Sequence, residues 1–383
     1  MKARLLSLTL ILAGCAAAPP PPGSTPAAGG ASRAPYDSPP VATGTVTITL
    51  DLRAAREILA LLSRPRFDPE AAKSLADLPA VKAEIRESNR PAEVFLADLA
   101  AAFDDQARIA IFDFRGLREN AARWADLLAM ISAREAELTK LASDRVRALL
   151  PPDVPVSVSE PIFLTFGLPG RADHLVVPSG EDSDWYVVID LARALSDAQS
   201  SPPSEQIKHL SRLMASGGFQ RAWAEYRAAS PAWQKRDTAL GQLEPLMRHT
   251  AQAGPVALYS VDENFFPLSV WLKEPMRTSI DELNRMADRL VSAEGDLDAR
   301  VAVAAEIGRP EFMARVAGPA GAFLADGIIQ TLGLDAYRAA LAGGPRGFFE
   351  AYERASQQKG RALIPLGKAI RERLAAAAAP AKG

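Results

Sequence analysis

The chain has 383 residues, of which 48% are hydrophobic and 23% charged, with a formal net charge of -2 and a pI of about 6.1. This is ordinary globular composition. It excludes disorder for the bulk of the chain, and it leaves no basic footprint for nucleic acid or for electrostatic attachment to anionic lipid. The single cysteine, Cys15, can form no internal disulfide, so the fold has to rest on a hydrophobic core.

In chain order, Met1-Lys2-Ala3-Arg4 is followed by an apolar run from Leu5 to Leu12 and then Ala13-Gly14-Cys15. A positive start, a short apolar stretch and small residues predict a secretory signal over residues 1–14. The run is too short to match the roughly 20 residues of a membrane-spanning helix. Leu12-Ala13-Gly14-Cys15 resembles the lipobox of bacterial lipoproteins. The resemblance implies a diacylated Cys15 thiol, cleavage before Cys15 and acylation of the freed amine. Several acyl chains, at about 0.8 kcal/mol per buried methylene, are enough to hold a protein on a bilayer. Ala16 stands where an aspartate would imply inner-membrane retention, so the same resemblance implies the outer membrane, facing the periplasm.

Residues 15–44 form the expected lipidated tether, rich in alanine and proline with Pro19 to Pro22 consecutive, and extended in partly polyproline form. The folded domain is expected over residues 45–374. Thr45 to Leu50 alternates polar and apolar residues as a half-buried strand does, and the period then becomes helical at Ile58, Leu59 and Leu62. Asp68-Pro69-Glu70 and Asn89-Arg90-Pro91 each predict a helix start, with a capping side chain within the two residues before the proline. Leu117, Ala121, Trp124, Leu128, Ile131, Leu138 and Leu141 predict one long helix running to Leu150, where Pro151-Pro152 stops it.

Short β-rich runs follow at Val154–Val158, Ile162–Phe166, His174–Val177 and Trp185–Ile189, separated by Gly167, Gly170 and Gly180. After Leu191 the pattern is helical again. Breaks are expected at Ser201-Pro202-Pro203, Gly217-Gly218, Phe265-Phe266-Pro267, Gly318-Pro319 and Gly343-Gly344-Pro345, and residues 375–383 read as a flexible tail. The fold class is therefore mainly α (α+β): one helical domain with a small mixed β-sheet.

The order of long helix, small sheet and histidine-bearing helix, over about Val154 to Phe349, resembles the gluzincin-like metallopeptidases. That resemblance implies a strand edge lining a cleft and a following helix with H-E-x-x-H, in which two histidines bind zinc and the glutamate activates its water. Here His209 falls at the first ligand position, Leu210 at the general base, Leu213 at the second histidine and Ala253 at the third ligand. A leucine can neither take a proton nor donate a lone pair. The motif is degenerate, so no cofactor is expected. Zinc would have to be gathered from His174, His209 and His249, no two of which lie at ligand spacing on one element. There is no G-x-S-x-G for a serine hydrolase, and Gly167-Leu168-Pro169-Gly170 lacks the lysine of a phosphate loop.

Two further segments stand out. Asp262-Glu263-Asn264-Phe265-Phe266-Pro267, continuing through Trp271 to Pro275, reads as a loop able to line a cleft, with Asp262 and Glu263 as candidate acid or base. Gly318 to Ile329 is rich in small residues that admit a second backbone, and reads as too short and interrupted to span a bilayer. Asp326 within it is expected to be exposed or locally bonded. The functional expectation is an anchored envelope lipoprotein with a peptidase-like pseudoenzyme domain that binds a peptide, small molecule or protein partner. The alternative is a hydrolase using His209 with Asp262 or Glu263, and a purely structural envelope role is a third reading.

Overall fold

The structure is a computed structural model that describes residues 44–104, 110–167, 174–178, 185–195, 201–260, 270–358 and 363–378. It is mainly helical around a small mixed sheet, as expected. Strand β1 (Val46–Asp51) buries Val46 and Ile48 and exposes Thr47 and Thr49, so the polar–apolar alternation settles which face meets the core. Seven helices follow: α1 (Arg53–Leu62), α2 (Pro69–Ala76), α3 (Pro79–Glu87), α4 (Ala92–Ala101), α5 (Arg115–Glu119), α6 (Ala121–Ala133) and α7 (Glu135–Leu149).

Asp68 caps α2 by accepting from the Glu70 and Ala71 N–H groups, as its sequence predicts. Asn89 does not cap α4. It takes φ 52 and turns the chain after α3, a helix that begins at Leu78-Pro79 and that the capping pattern did not reveal. The single helix expected from Leu117 to Leu150 is three segments. Asn120 (φ -113, ψ 20) and Arg134 (φ -115, ψ 19) leave helical geometry; Leu117, Trp124, Leu128, Ile131 and Leu138 stay buried around the two bends, whereas Leu141, expected on the same stripe, is 41% exposed. A hydrophobic period records which side faces the core and is blind to a change of axis.

The sheet continues with β2 (Val158–Thr165), β3 (His174–Pro178) and β4 (Trp185–Asp190) in the order β1-β2-β4-β3. β1, β2 and β4 run parallel, and β3 pairs antiparallel with β4 at the edge. Val154 to Ser157 are not part of any strand, contrary to expectation. The outer edge of β1 is covered by α7, whose Ser143 hydroxyl accepts the Ile48 N–H at 3.0 Å and so satisfies a donor that the sheet leaves unpaired.

The chain then enters α8 (Leu191–Ala194) and α9 (Pro203–Ala229). Gly217-Gly218 does not break α9. Its glycines lie against the sheet instead: a Cβ on Gly217 would sit 2.3 Å from Val187 Cγ1, and one on Gly218 would sit 2.8 Å from Ile48 Cδ1. Glycine is needed at this contact because no side chain fits between helix and strand.

Next come α10 (Pro231–Gln234), α11 (Glu244–Ser260), α12 (Val270–Ser292), α13 (Leu297–Ile307) and the short α14 (Pro310–Phe312). Trp271 to Pro275 belong to α12 and not to a loop. α14 passes through a π-helical stretch, Met313–Ala317, into α15 (Gly318–Leu332). Pro319 therefore does not stop the helix, because it falls in the first turn after the π-helical stretch, where a missing N–H is tolerated. The joined helix Pro310–Leu332 is long and apolar enough by length and composition to cross a membrane, which corrects the shorter span expected from the sequence. It is 72% buried over its most apolar window, in the manner of a core helix. Gly321 meets Gly254 of α11 back to back: a Cβ on Gly254 would lie 2.4 Å from the Gly321 carbonyl carbon, and the expected close backbone approach is present.

The chain closes with α16 (Leu334–Ala342), α17 (Gly344–Ser356) and α18 (Lys368–Ala378). α18 carries helical structure past residue 375, where a flexible tail was expected. One continuous hydrophobic cluster runs from Val46 to Leu374.

Candidate functional site

The residues singled out from sequence do not assemble into a centre. Cys15, Asp262 and Glu263 lie outside the described residues. His209 is half-buried on α9. Leu210 beside it is fully buried and Leu213 packs against the core, so the positions of the missing base and second ligand are taken up by packing. Ala253 is 7% exposed on α11, next to the Gly254–Gly321 contact. His249 is also on α11, and its Nδ1 bonds the Pro245 carbonyl one turn earlier at 2.6 Å. His174 lies on β3, opposite Ile189 in register. Among the described residues, no group of three or more His, Cys, Asp or Glu is arranged to hold a metal ion. Asp326 is 7% exposed, so the alternative of an exposed acid is overturned.

What the fold does bring together is a buried polar cluster at the carboxyl-terminal ends of the parallel strands. Thr165 ends β2, Asp190 ends β4, and the two are register partners that share a face. Asp190 is 1% exposed, and its carboxylate accepts the N–H groups of Gly167 at 3.0 Å, Ala192 at 2.8 Å and Arg193 at 3.2 Å. It thereby caps α8, fixes the chain leaving β2 and pairs with Arg193 at 3.8 Å. An ionised carboxylate is well served by this many donors.

Glu84, on α3, is fully buried against the same cluster. The Thr165 hydroxyl is close enough to favour its ionised form, yet neither that oxygen nor either Glu84 carboxyl oxygen completes a hydrogen bond. Burial pushes the Glu84 carboxyl well above the usual carboxylate range; Thr165 works against this, the Asp190 charge adds to it, and Arg193 partly offsets it. Two carboxyls with opposite surroundings thus sit at one strand edge. Glu160, on the other face of β2, is also buried and is engaged by a neighbouring group.

A second feature lies on the surface. A groove of about 680 Å3 is bounded by the end of α1, the end of α4 and the start of α6, and Arg64, Arg115 and Arg118 line it. Arg118 is held in place by neutral groups: Nε donates to the Leu62 carbonyl at 3.3 Å, an Nη donates to the Ala102 carbonyl at 3.3 Å, and the guanidinium lies 4.4 Å from the centre of the Phe103 ring. None of the salt bridges among the described residues includes it. Arg115 donates to the Asp104 carbonyl at 2.6 Å, while Arg64 pairs with Asp68. Asp104 and Glu119 also line the groove.

No family model, curated protein or solved structure matches the chain. Sequence reasoning missed Glu84, Thr165 and the groove arginines. One signal was available for Glu84: it follows Ala80 and Val81 at spacings of four and three, which places a carboxyl on the apolar stripe of a helix. Nothing local marks Arg115 or Arg118, because the groove is assembled from segments far apart in the chain.

Proposed function

We propose that this chain is a lipid-anchored envelope lipoprotein whose folded domain binds the acidic groups of a peptide or protein partner in the Arg64–Arg115–Arg118 groove, without catalysing a reaction. The observation that supports this reading is Arg118. Its guanidinium is oriented by two backbone carbonyls and an aromatic face, and its charge has no carboxylate partner among the described residues. A fixed, planar donor fork with an unbalanced charge suits a carboxylate, and holding it rigid before binding lowers the entropic cost of recognition. The leucines at the degenerate motif positions argue against peptidase chemistry.

The test uses the full mature lipoprotein in detergent micelles, titrated with an oligoglutamate peptide by calorimetry. Saturable binding that weakens at least tenfold in Arg118→Gln and falls with added salt is expected. An absence of binding at millimolar peptide would overturn the groove assignment. Metal analysis addresses the rest of the reading: stoichiometric zinc that survives dialysis and is lost in His209→Ala would overturn the non-catalytic assignment. Palmitate incorporation that persists in Cys15→Ala would overturn the anchor.

A further inference from the structure

The sheet is contacted by α3 through a group that fits the position poorly when charged. Glu84 is fully buried, both of its carboxyl oxygens lack a completed hydrogen bond, and it lies beside Asp190, whose own oxygens are taken by three backbone N–H groups and Arg193. We propose that Glu84 is a proton-dependent latch that holds α3 against the carboxyl-terminal edge of the sheet.

From the elements around α3, the charged groups that act on this carboxyl are Asp190 at the end of β4 and Arg193 on α8, while β2 contributes the uncharged Thr165. Arg193 lies 3.8 Å from the Asp190 carboxylate, so its charge is shared between Asp190 and Glu84. The neutral acid can rest in this slot. When its O–H bond breaks and the proton leaves to solvent, a second negative charge remains beside Asp190, with the Thr165 hydroxyl near it but completing no hydrogen bond. Burying such a charge costs more than burying the neutral acid, and separation of α3 from the strand ends lets water reach it. The carboxyls of β2 and β4 neighbours offer no alternative, since Glu160 points to the opposite face of the sheet.

The direction of the pH dependence follows from proton counting. With its folded pKa raised by burial, Glu84 keeps its proton when docked and loses it when exposed, so docking weakens as pH rises above the ordinary glutamate range. The opening constant of α3 should increase by up to about tenfold per pH unit until the docked acid itself ionises.

The experiment is hydrogen–deuterium exchange with mass analysis on the full mature lipoprotein in detergent micelles, from pH 5 to 9, corrected for the intrinsic pH dependence of amide exchange. Protection over Pro79–Glu87 should fall steeply with pH while protection around Gly217 in α9 stays level, and Glu84→Gln should flatten the α3 response. Equal pH responses in α3 and α9, an α3 response absent from the wild type, or one that persists in Glu84→Gln would each overturn the latch. If Glu84→Gln does not fold, the wild-type comparison of α3 with α9 decides, and Glu84→Met supplies an uncharged replacement of similar length.

Discussion

The two faces of the small sheet are covered in opposite ways. On one, Gly217 and Gly218 of α9 bring helix backbone directly onto Val187 and Ile48, leaving no space for even a methyl group. On the other, α3 reaches the strand ends with Glu84, a long polar side chain whose carboxyl oxygens complete no hydrogen bond. The first contact is fixed by shape and is indifferent to solution conditions. The second is fixed by a protonation state, so the same sheet carries one permanent neighbour and one conditional neighbour.

Gly217→Ala tests the permanent side and should have the largest effect. A Cβ at 2.3 Å from Val187 forces α9 or β4 to move, and overpacking of this kind costs about 3 kcal/mol, readable as a shift of the urea midpoint at constant slope. Glu84→Gln tests the conditional side. It should raise stability at pH 8, have little effect near pH 4.5, and reduce the decline of the melting temperature between those values. An equal gain at both pH values would erase the contrast between the faces. Thr165→Val is the finest test. Because the Thr165 hydroxyl is buried and completes no hydrogen bond, its removal should change stability by less than about 1 kcal/mol while deepening the loss of α3 protection at alkaline pH, since it takes away the one group of β2 that favours the ionised Glu84.

The elements with strict periodicity were legible from sequence: β1, the Asp68-capped α2, β4 and the helix start at Pro203 all lie where alternation, caps and prolines place them. The breaks were less legible. Gly217-Gly218 and Gly318-Pro319 read as interruptions, but glycine also serves close contact and proline also suits a first turn, and only the three-dimensional neighbours distinguish these uses. The bends at Asn120 and Arg134 left no mark because each of the three segments buries its periodic residues, from Leu117 through Leu128 to Leu138. The polar cluster was hidden for a different reason. Glu84, Thr165 and Asp190 come from three elements, each unremarkable alone, and their meaning arises from the parallel register that aligns two strand ends beneath α3.

The helix from Pro310 to Leu332 has a consequence for how such a chain is made. A protein exported as the lipobox resemblance implies would pass through a translocation channel unfolded, and the most apolar 18-residue window of this segment, with a mean hydropathy of 1.3, would then meet the lipid boundary. Glu311, Arg315 and Asp326 are its only charged residues, with Arg315 and Asp326 flanking the midpoint, where each would cost less than the roughly 3 kcal/mol of a charge at the centre of a spanning helix. On such a route, Arg315 and Asp326 would weigh against lateral insertion, so that a helix destined for the core would not be taken for a membrane anchor before the core exists to receive it.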